Sequence, residues 1–264
     1  MKREALNARQ HAIVSLLREH GEVSVAGLTR QFAVTPMTVR RDLDHLAVQG
    51  YLTRTHGGGI FSQQAKIQFA FREKQETQSA AKAAIARAAA ALVKPGLSVV
   101  LDTGTTTLEV ARAIAGLANL RVLTSSLAIA AALFARENID LILLGGNARK
   151  NSPDLTGPLT EDNLRQFRVQ IAILGADALE RHGLYTAELP VARVSKAMLA
   201  ATARAILVAD STKFRRRAFA RFAGWNQIDT IVTDGRLSAA DRRWLSKAVR
   251  NVVLAPMAGE ERRP

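Results

Sequence analysis

Seven short apolar runs in the C-terminal two thirds of the chain constrain the fold more than any other feature. The runs are Ser98–Leu101, Arg121–Leu123, Leu141–Leu144, Ile171–Leu174, Ile206–Val208, Thr230–Val232 and Val252–Leu254. Helical patterns separate several of them, and an Ala-rich helical pattern from Ser79 to about Val93, stopped by Pro95-Gly96, precedes the first. Strands that alternate with helices are typical of an α/β domain with a mostly parallel sheet. We predict such a domain over residues 79–257, followed by a tail at 258–264.

Glycine, hydroxyl and charged residues directly follow five of these predicted strands. They are Asp102, Gly104, Thr105, Thr106 and Thr107, then Thr124, Ser125 and Ser126, then Gly146, then Asp177, and last Asp210 and Lys213. Parallel sheets bind ligands beyond the carboxyl ends of their strands, and Gly or hydroxyl residues that lead into a helix form an anion site. A single Ser/Thr cap is common in any α/β protein. Five such segments together favour a cleft for a small, phosphorylated, hydroxyl-rich ligand.

Several other classes of site and location are disfavoured. The chain has no GxGxxG and no GxxxxGK[ST] segment, which disfavours dinucleotides and ATP. It has no cysteine, and its five histidines are scattered, so we expect neither a metal site nor a cofactor. No apolar run approaches the roughly 18 residues of a membrane span, and the charged N-terminus does not resemble a signal peptide. We expect a cytoplasmic protein with no membrane partner.

Three short helical patterns occupy the first fifty residues. Gly21 ends the first pattern, and Ser24 is placed to cap the second. The third begins at Thr35, with Pro36 at its first helical position, which is a strong start signal. Only the short Ala33-Val34 turn separates the second pattern from the third. Three helices with such a turn are typical of a helix-turn-helix.

The outward face of the third helix is the candidate DNA-reading surface. At 100° per residue, Met37, Arg41 and Asp44 point away from the apolar stripe of this helix. The candidate contacts in this segment are Thr35, Met37, Thr38, Arg40, Arg41, Asp44 and His45. Arginine grips guanine O6 and N7 in a bidentate pair, or holds phosphate. Two arginines alone are more often a solvated face, but the three-helix context favours DNA.

A small β-hairpin follows the third helix. Residues 51–61 alternate as a hairpin does and contain three consecutive glycines. Such a wing lays Arg54 and His56 against the DNA backbone or minor groove, while the glycines alone are also compatible with a flexible hinge. We place a winged helix-turn-helix DNA-binding domain at 1–60 and a polar, Gln-rich linker at 61–78.

The third helix carries a family resemblance. Thr35-x-x-Thr38-Val39-Arg40-Arg41-Asp42-Leu43, followed by Leu46, Gly50 and a basic His-Gly-Gly wing, resembles the DeoR family of bacterial sugar-metabolism regulators. The resemblance implies that this helix reads operator DNA and that the C-terminal domain is similar to the ribose-5-phosphate isomerase type of fold. Asp42 projects between the inner and outer faces of the helix, so we expect it to be an internal salt-bridge partner.

The same resemblance extends through the C-terminal half and implies an effector site. It implies sugar-phosphate binding by Asp102 to Thr106, with contributions from Lys82, Lys196 and Lys213. Thr124-Ser125-Ser126 stands where the family more often has Thr-Asn-Asn. The departure leaves the identity of the ligand open, while its class stays a phosphorylated sugar or polyol.

Three functions remain to be weighed. The first is a repressor of a sugar or polyol catabolic operon, a homodimer or homotetramer on repeated half-sites, released by its effector. The second is an enzyme, a sugar-phosphate isomerase with an appended DNA module and Asp102 or Glu188 as base. The third is a nonspecific nucleoid protein, which the net charge of +14 supports only weakly because residues 1–57 carry just +3 of it. We favour the repressor and expect no enzymatic activity.

Overall fold

The computed structural model describes residues 6–257, so the predicted tail at 258–264 lies outside the described residues. The chain forms two compact units. The N-terminal unit contains the chain up to Glu73 together with Lys150–Ser152, and the C-terminal unit contains Lys74–Arg149 and the chain from Pro153 onward.

The N-terminal unit is a winged helix-turn-helix. Its elements are α1 (Ala8–His20), β1 (Glu22–Ser24), α2 (Val25–Phe32), α3 (Pro36–Val48), β2 (Leu52–Thr55), β3 (Gly58–Phe61) and α4 (Gln63–Glu76), whose last residues belong to the C-terminal unit. The strands form an antiparallel sheet in the order β1-β3-β2. The three predicted helices and the hairpin are therefore present, and β1 is a strand that the sequence patterns did not predict.

Local signals set the ends of these helices. Gly21 adopts φ 80°, a left-handed conformation that glycine reaches at little cost, and its N–H bonds to the Leu17 carbonyl to end α1. The Ser24 hydroxyl accepts from the Gly27 N–H at the start of α2, and the Thr35 hydroxyl accepts from the Thr38 N–H at the start of α3. The buried apolar stripes of the three helices then pack into one aliphatic core.

The segment interpreted as a linker, 61–78, is mostly helical. Helix α4 occupies Gln63–Glu76. Its Ala65 is buried in the core of the N-terminal unit, and the Phe69 ring lies 6.1 Å from Tyr51 and 5.7 Å from Phe61 between ring centroids. Because the segment is mostly polar, its two apolar residues at helical spacing, Ala65 and Phe69, did not stand out in the sequence. They pack the start of α4 against the wing.

The C-terminal unit is an α/β domain. Its helices are α5 (Ser79–Ala90), α6 (Thr105–Ile114), α7 (Leu127–Leu133), α8 (Pro158–Arg165), α9 (Leu189–Ala200) and α10 (Ala239–Ala248). Its strands are β4 (Ser98–Leu101), β5 (Leu120–Thr124), β6 (Ile139–Leu143), β7 (Asn147–Ala148), β8 (Leu155–Thr156), β9 (Ile171–Leu174), β10 (Ala178–Glu180), β11 (Gly183–Thr186), β12 (Ala205–Val208), β13 (Ala220–Ala223), β14 (Thr230–Asp234) and β15 (Asn251–Ala255). Short 3₁₀ turns lie at Ser211–Arg215 and Trp225–Gln227.

One parallel sheet organises this unit. Its seven strands lie in the order β15-β14-β12-β9-β4-β5-β6, and every neighbouring pair is parallel. These strands coincide with the seven apolar runs, so the predicted α/β fold class is confirmed. The β10-β11-β13 and β7-β8 sheets were not predicted, because strands of two to four residues leave no clear alternation in the sequence. All seven carboxyl ends of the large sheet lie along one edge.

Candidate DNA-reading surface and effector site

The turn between α2 and α3 is tight and well capped. Ala33 adopts the left-handed conformation at φ 51° and ends α2. Thr35 then caps α3 with its hydroxyl 3.2 Å from the Thr38 N–H, and the two threonine hydroxyls lie 2.9 Å apart. Pro36 occupies the first turn, where no intrahelical N–H is needed. The Thr35 cap and Pro36 therefore fix the start of α3 directly after the short turn, as in a helix-turn-helix.

The outward face of α3 lies in solvent. Met37 is 56% exposed, and Arg40 and Arg41 are exposed beside it. Val39 and Leu43, on the opposite face, are completely buried. Among residues 6–257, neither arginine makes an ion pair or side-chain hydrogen bond, so both guanidinium groups are available to a ligand. Contact of this face with DNA stays a prediction.

Asp42 anchors α3 from beneath. It is 5% exposed and accepts hydrogen bonds from Nε of Arg9 at 2.5 Å and from Nε2 of Gln10 at 3.1 Å. The Arg9 ion pair raises the pKa of that guanidinium, mainly through the hydrogen bond. The expectation of an internal salt bridge is confirmed, and it fixes the recognition helix to α1.

Some predicted DNA contacts are engaged within the unit. Nε of Arg54 donates to Oδ1 of Asp44 at 2.8 Å, and Nη1 of Arg54 donates to the Gly58 carbonyl. The His45 ring lies 2.8 Å from the Gln49 amide, between Nε2 atoms. His56 is exposed at the turn of the wing. Asp44 on α3 and the wing backbone therefore hold the Arg54 guanidinium, and its predicted contact with DNA stays a prediction.

At the carboxyl edge of the large sheet, Asp102 is buried between two strand ends. It is 4% exposed, and its two oxygens accept from the N–H groups of Thr103 at 2.8 Å and Gly175 at 3.2 Å. Burial raises the pKa of Asp102 to about 7, although both hydrogen bonds act to lower it, and the charges of Asp154 and Asp177 add to the rise. Asp102 thus ties the end of β4 to the end of β9.

The N-terminus of α6 leaves its first N–H groups without a side-chain cap. Gly104, at φ 129°, occupies the cap position, and no side chain bonds to the helix start. The Thr107 hydroxyl donates to the Gly104 carbonyl at 3.0 Å, and the Thr105 hydroxyl to the Lys74 carbonyl at 3.4 Å. Thr106 is buried. A helix start of this kind attracts an anion through its N–H groups and its dipole.

Cations gather at the same edge. Lys213 is half-buried in the 3₁₀ turn that the Asp210 carboxylate caps, and its pKa is lowered by burial and by the charges of Arg216 and Lys74, while Asp210 and Asp177 oppose the shift. Sequence reasoning missed Lys74 and Arg216, because neither follows a strand of the sheet nor stands out from other surface cations.

Asp177 is an acidic residue whose charge acts on Lys213. It accepts from the Thr186 hydroxyl and the Ala187 N–H, each at 2.9 Å. Burial alone raises its pKa, but these hydrogen bonds and the charges of Lys213 and Lys74 outweigh burial, so the pKa is lowered and Asp177 is ionised. The ionised Asp177 therefore interacts electrostatically with both Lys213 and Lys74.

Two of the three predicted hydroxyls after β5 serve the backbone. The Thr124 hydroxyl donates to the Leu101 carbonyl at 2.9 Å, and the Ser126 hydroxyl caps α7 by accepting from the Ile129 N–H at 3.2 Å. Ser125 is completely buried, and its hydroxyl has no partner among the described residues. Both hydroxyls of Thr124 and Ser126 therefore already have backbone partners, and the assignment of these two residues to effector contact stays a prediction.

Lys82 and Gly146 also have structural roles. Lys82 is 5% exposed, its ammonium group donates to the carbonyls of Lys74 and Thr77, and burial lowers its pKa. Gly146 adopts φ 153°, and a Cβ there would collide with the Thr160 hydroxyl. Lys82 therefore stabilises the connection between α4 and α5. Gly146 allows Thr160 of α8 to pack directly against the backbone at position 146.

Lys196 lies at the opposite edge of the sheet. It lines a surface depression with Arg165, Arg168 and Arg193. Arg168 comes just before the amino end of β9, and the depression is therefore remote from the carboxyl ends of the strands. Helix α9 turns Lys196 outward into solvent, and its assignment to the effector site stays a prediction.

A further ion network near the site had no sequence signal. Arg149 donates to both oxygens of Asp154, at 3.2 and 2.9 Å, and to Glu188 at 2.6 Å. Asp154 is 1% exposed. Arg149 and Asp154 are five residues apart, but Glu188 lies 39 residues beyond Arg149, so only the fold brings it to them. Among residues 6–257 no three metal-ligating side chains converge, and no helix there is long and apolar enough to span a membrane.

A winged helix-turn-helix with free arginines on its recognition face, joined to an α/β unit with an anion-attracting edge, defines a DNA-binding transcriptional regulator with a sensor domain. Residues 9–65 match the DeoR-like helix-turn-helix domain, and residues 77–235 match the DeoR C terminal sensor domain. The chain belongs to the DeoR family.

Named relatives cover most of the chain. It is 32% identical to the putative aga operon transcriptional repressor of Escherichia coli O157:H7, over 93% of both proteins. It is 32% identical to the glycerol-3-phosphate regulon repressor of Escherichia coli strain K12, over 86% of this chain and 90% of that protein. The transcriptional repressor AccR of Agrobacterium fabrum is 36% identical, over 86% and 88% respectively.

Solved structures resemble the chain less. Ribose 5-phosphate isomerase A of Methanocaldococcus jannaschii has a TM-score of 0.39 and 20% identity, and covers 52% of this chain and 55% of its own. A likeness at this level does not identify the type of fold. The ribose-5-phosphate isomerase type therefore stays a prediction for the C-terminal unit.

Proposed function

We propose that this protein represses a sugar or polyol catabolic operon and leaves its operator when a phosphorylated sugar or polyol binds at the carboxyl edge of the large sheet. One observation carries the proposal. The N-terminus of α6 has no side-chain cap, and the charges of Lys74, Arg216 and Asp177 all act on Lys213. A phosphate fits the cations and the helix N–H groups, and sugar hydroxyls fit the carboxylate.

The names of the relatives support this ligand class. One relative is named for the glycerol-3-phosphate regulon, one for the aga operon, and one for a lactose phosphotransferase system. A phosphorylated small polyol or sugar is the chemistry that suits these names and that the cation cluster favours. We propose a cytoplasmic location on the same grounds.

We propose a homodimer or homotetramer, because the reading surface of one copy is small. A single α3 presents only two free arginines, Arg40 and Arg41, and one copy therefore reads few base pairs. Two copies on repeated half-sites, about one helical turn apart, double the contact. Effector binding needs to shift operator affinity by only about 5- to 150-fold to act as a switch.

We propose no enzymatic turnover. The raised pKa of Asp102 would suit a general base at neutral pH. However, Asp102 is almost fully buried, and both of its oxygens already accept backbone N–H groups. An aldose–ketose conversion assay on the purified protein separates the two functions, and measurable turnover would favour the isomerase.

The effector is identified by thermal shift against a panel of phosphorylated sugars and polyols, with the unphosphorylated compounds as controls. A ligand at a hundred times its Kd stabilises the native state by about 2.7 kcal/mol. The hit is then added to the protein on operator DNA, and fluorescence anisotropy should show release. A panel that produces neither a shift nor release contradicts the proposed effector class.

Variants locate the effector site. Lys213→Ala removes the half-buried cation, so we expect at least tenfold weaker effector binding and a repressor that stays on DNA. Thr105→Ala should weaken binding less, since it leaves the N–H group in place. Lys196→Ala is the matched control, because it removes an exposed lysine from the opposite edge of the sheet. Equal affinity for the Lys213 and Lys196 variants would place the site elsewhere.

A further inference from the structure

One guanidinium joins the recognition helix to both strands of the wing. Arg54, on β2, donates from Nε to Oδ1 of Asp44 on α3 at 2.8 Å, and from Nη1 to the Gly58 carbonyl on β3. The Asp44 side chain is 63% exposed and that of Arg54 is 30% exposed. An ion pair this open to water contributes little to folding stability. Stability is therefore a poor explanation for the arrangement.

The partner that Asp44 takes is informative. Asp44 comes four residues after Arg40 and three after Arg41, which are the spacings at which side chains meet on a helix. Asp44 is nevertheless paired with Arg54, and within the described part of the chain Arg40 and Arg41 make no ion pair. The pairing keeps a carboxylate away from the two guanidinium groups of the recognition face.

We propose that Asp44 and Arg54 form a neutral latch that sets the DNA specificity of the reading surface. Arg54 holds Asp44 away from Arg40 and Arg41, and Asp44 holds Arg54 away from the phosphates and fixes the wing beside α3. The inference rests on the proposed DNA-reading role of α3. Both latch residues are positioning residues, since they act through the arginines and the wing.

Removal of Arg54 should weaken DNA binding because it frees the Asp44 carboxylate. In Arg54→Ala the carboxylate turns to Arg40 or Arg41 at helical spacing, and its charge repels the duplex. We expect affinity for the preferred sequence to fall about tenfold, comparable to one lost bidentate contact. Asp44→Ala/Arg54→Ala removes the acid as well, so it should bind about threefold or more tightly than Arg54→Ala alone. If the two residues contributed independently, Asp44→Ala would change affinity for the preferred sequence by the same factor whether or not Arg54 is present.

Loss of Asp44 has a different signature. In Asp44→Ala the Arg54 guanidinium is released and reaches a phosphate, a contact that carries no sequence information. Affinity for unrelated DNA should rise severalfold, and the slope of log affinity against log salt should steepen by about 0.9 per copy bound, one additional phosphate. The ratio of the affinity for the preferred sequence to the affinity for unrelated DNA should therefore fall.

The test uses the full chain and DNA that the protein itself selects. The wild type enriches its preferred sequence from a pool of random duplexes, and a scrambled duplex of the same composition serves as unrelated DNA. Anisotropy titrations at several salt concentrations then compare the variants. Glu19→Ala is the matched control, because it removes one negative charge from an exposed site on α1. Asp44→Asn keeps the shape of Asp44 without its charge and should behave as Asp44→Ala does.

The outcomes are distinct. Two results together support the latch. The double variant binds the preferred sequence more tightly than Arg54→Ala does. In both Asp44 variants, but not in Glu19→Ala, the ratio of affinity for preferred DNA to affinity for unrelated DNA falls and the dependence of affinity on salt becomes steeper. A double variant as weak as Arg54→Ala, or Asp44 variants that match Glu19→Ala, overturns it while the DNA-reading function stands. A wild type that enriches no sequence overturns the proposed function and the latch together.

Discussion

Asp102→Asn should remove a pH dependence of stability from the C-terminal unit. Asp102 is 4% exposed, and burial raises its pKa from 3.8 to about 7 despite hydrogen bonds from the Thr103 and Gly175 N–H groups. The folded protein therefore holds a proton on this carboxyl group at pH values where the unfolded chain has lost it. Asparagine is nearly isosteric and does not ionise, so the variant lacks this linkage.

The size and sign of the effect follow from the two pKa values. Each unit of pKa difference corresponds to about 1.4 kcal/mol, so the shift from 3.8 to about 7 is worth about 4 kcal/mol. Because the folded-state pKa is the higher one, the contribution is present below pH 3.8 and is lost as the pH rises through about 7. Between roughly pH 4.5 and 8, the wild type should lose about 3 kcal/mol through this group.

Urea unfolding followed by tryptophan fluorescence measures this loss. The two tryptophans of the chain, Trp225 and Trp244, pack edge to face in the C-terminal unit and report its unfolding. At each pH the variant is subtracted from the wild type, so the other titrating groups cancel, and a hydrogen bond lost to asparagine adds only a constant. Asp140→Asn, at an exposed acid, is the control. A difference that stays constant across this range refutes the reasoning.

Three further predictions concern the two functional surfaces. Arg41→Ala should lower affinity for the preferred DNA about tenfold and relax its base preference, without changing effector affinity; unchanged DNA binding in the same titration would contradict the assigned recognition face. Asp42→Ala should destabilise the N-terminal unit by about 2 kcal/mol, because the carboxylate bonds to Arg9 and Gln10; a urea midpoint equal to that of the wild type would show that the anchor is dispensable. Inorganic phosphate should bind more weakly as the pH rises above neutral, because burial lowers the pKa of Lys213 below that of an ordinary lysine; calorimetry showing the same affinity from pH 7 to an alkaline pH near the ordinary lysine value of about 10.4 would argue against Lys213 as the anion ligand.

The sequence alone determined the elements whose signals are local. The seven apolar runs correspond to the seven strands of the parallel sheet. The inner strands β9 and β12 are buried at every position, and a strand buried on both faces must be apolar throughout. Thr35, Pro36 and Gly21 set helix ends as predicted, since a cap acts on the N–H and carbonyl groups within one turn. Helix periodicity likewise sufficed to place Arg41 outward and Asp42 between the two faces, as an internal salt-bridge partner.

Only the tertiary structure decided the partners of the long and polar side chains. Lys82 bonds to carbonyls between α4 and α5, Lys196 lies at the far edge of the sheet, and Arg54 pairs with Asp44. Nothing local distinguishes these residues from cations that meet a ligand, because their reach exceeds one turn and the nearest acceptor comes from another segment. The chain thus specifies its strands and caps within a few residues, whereas its binding surfaces depend on contacts that only the folded chain brings together.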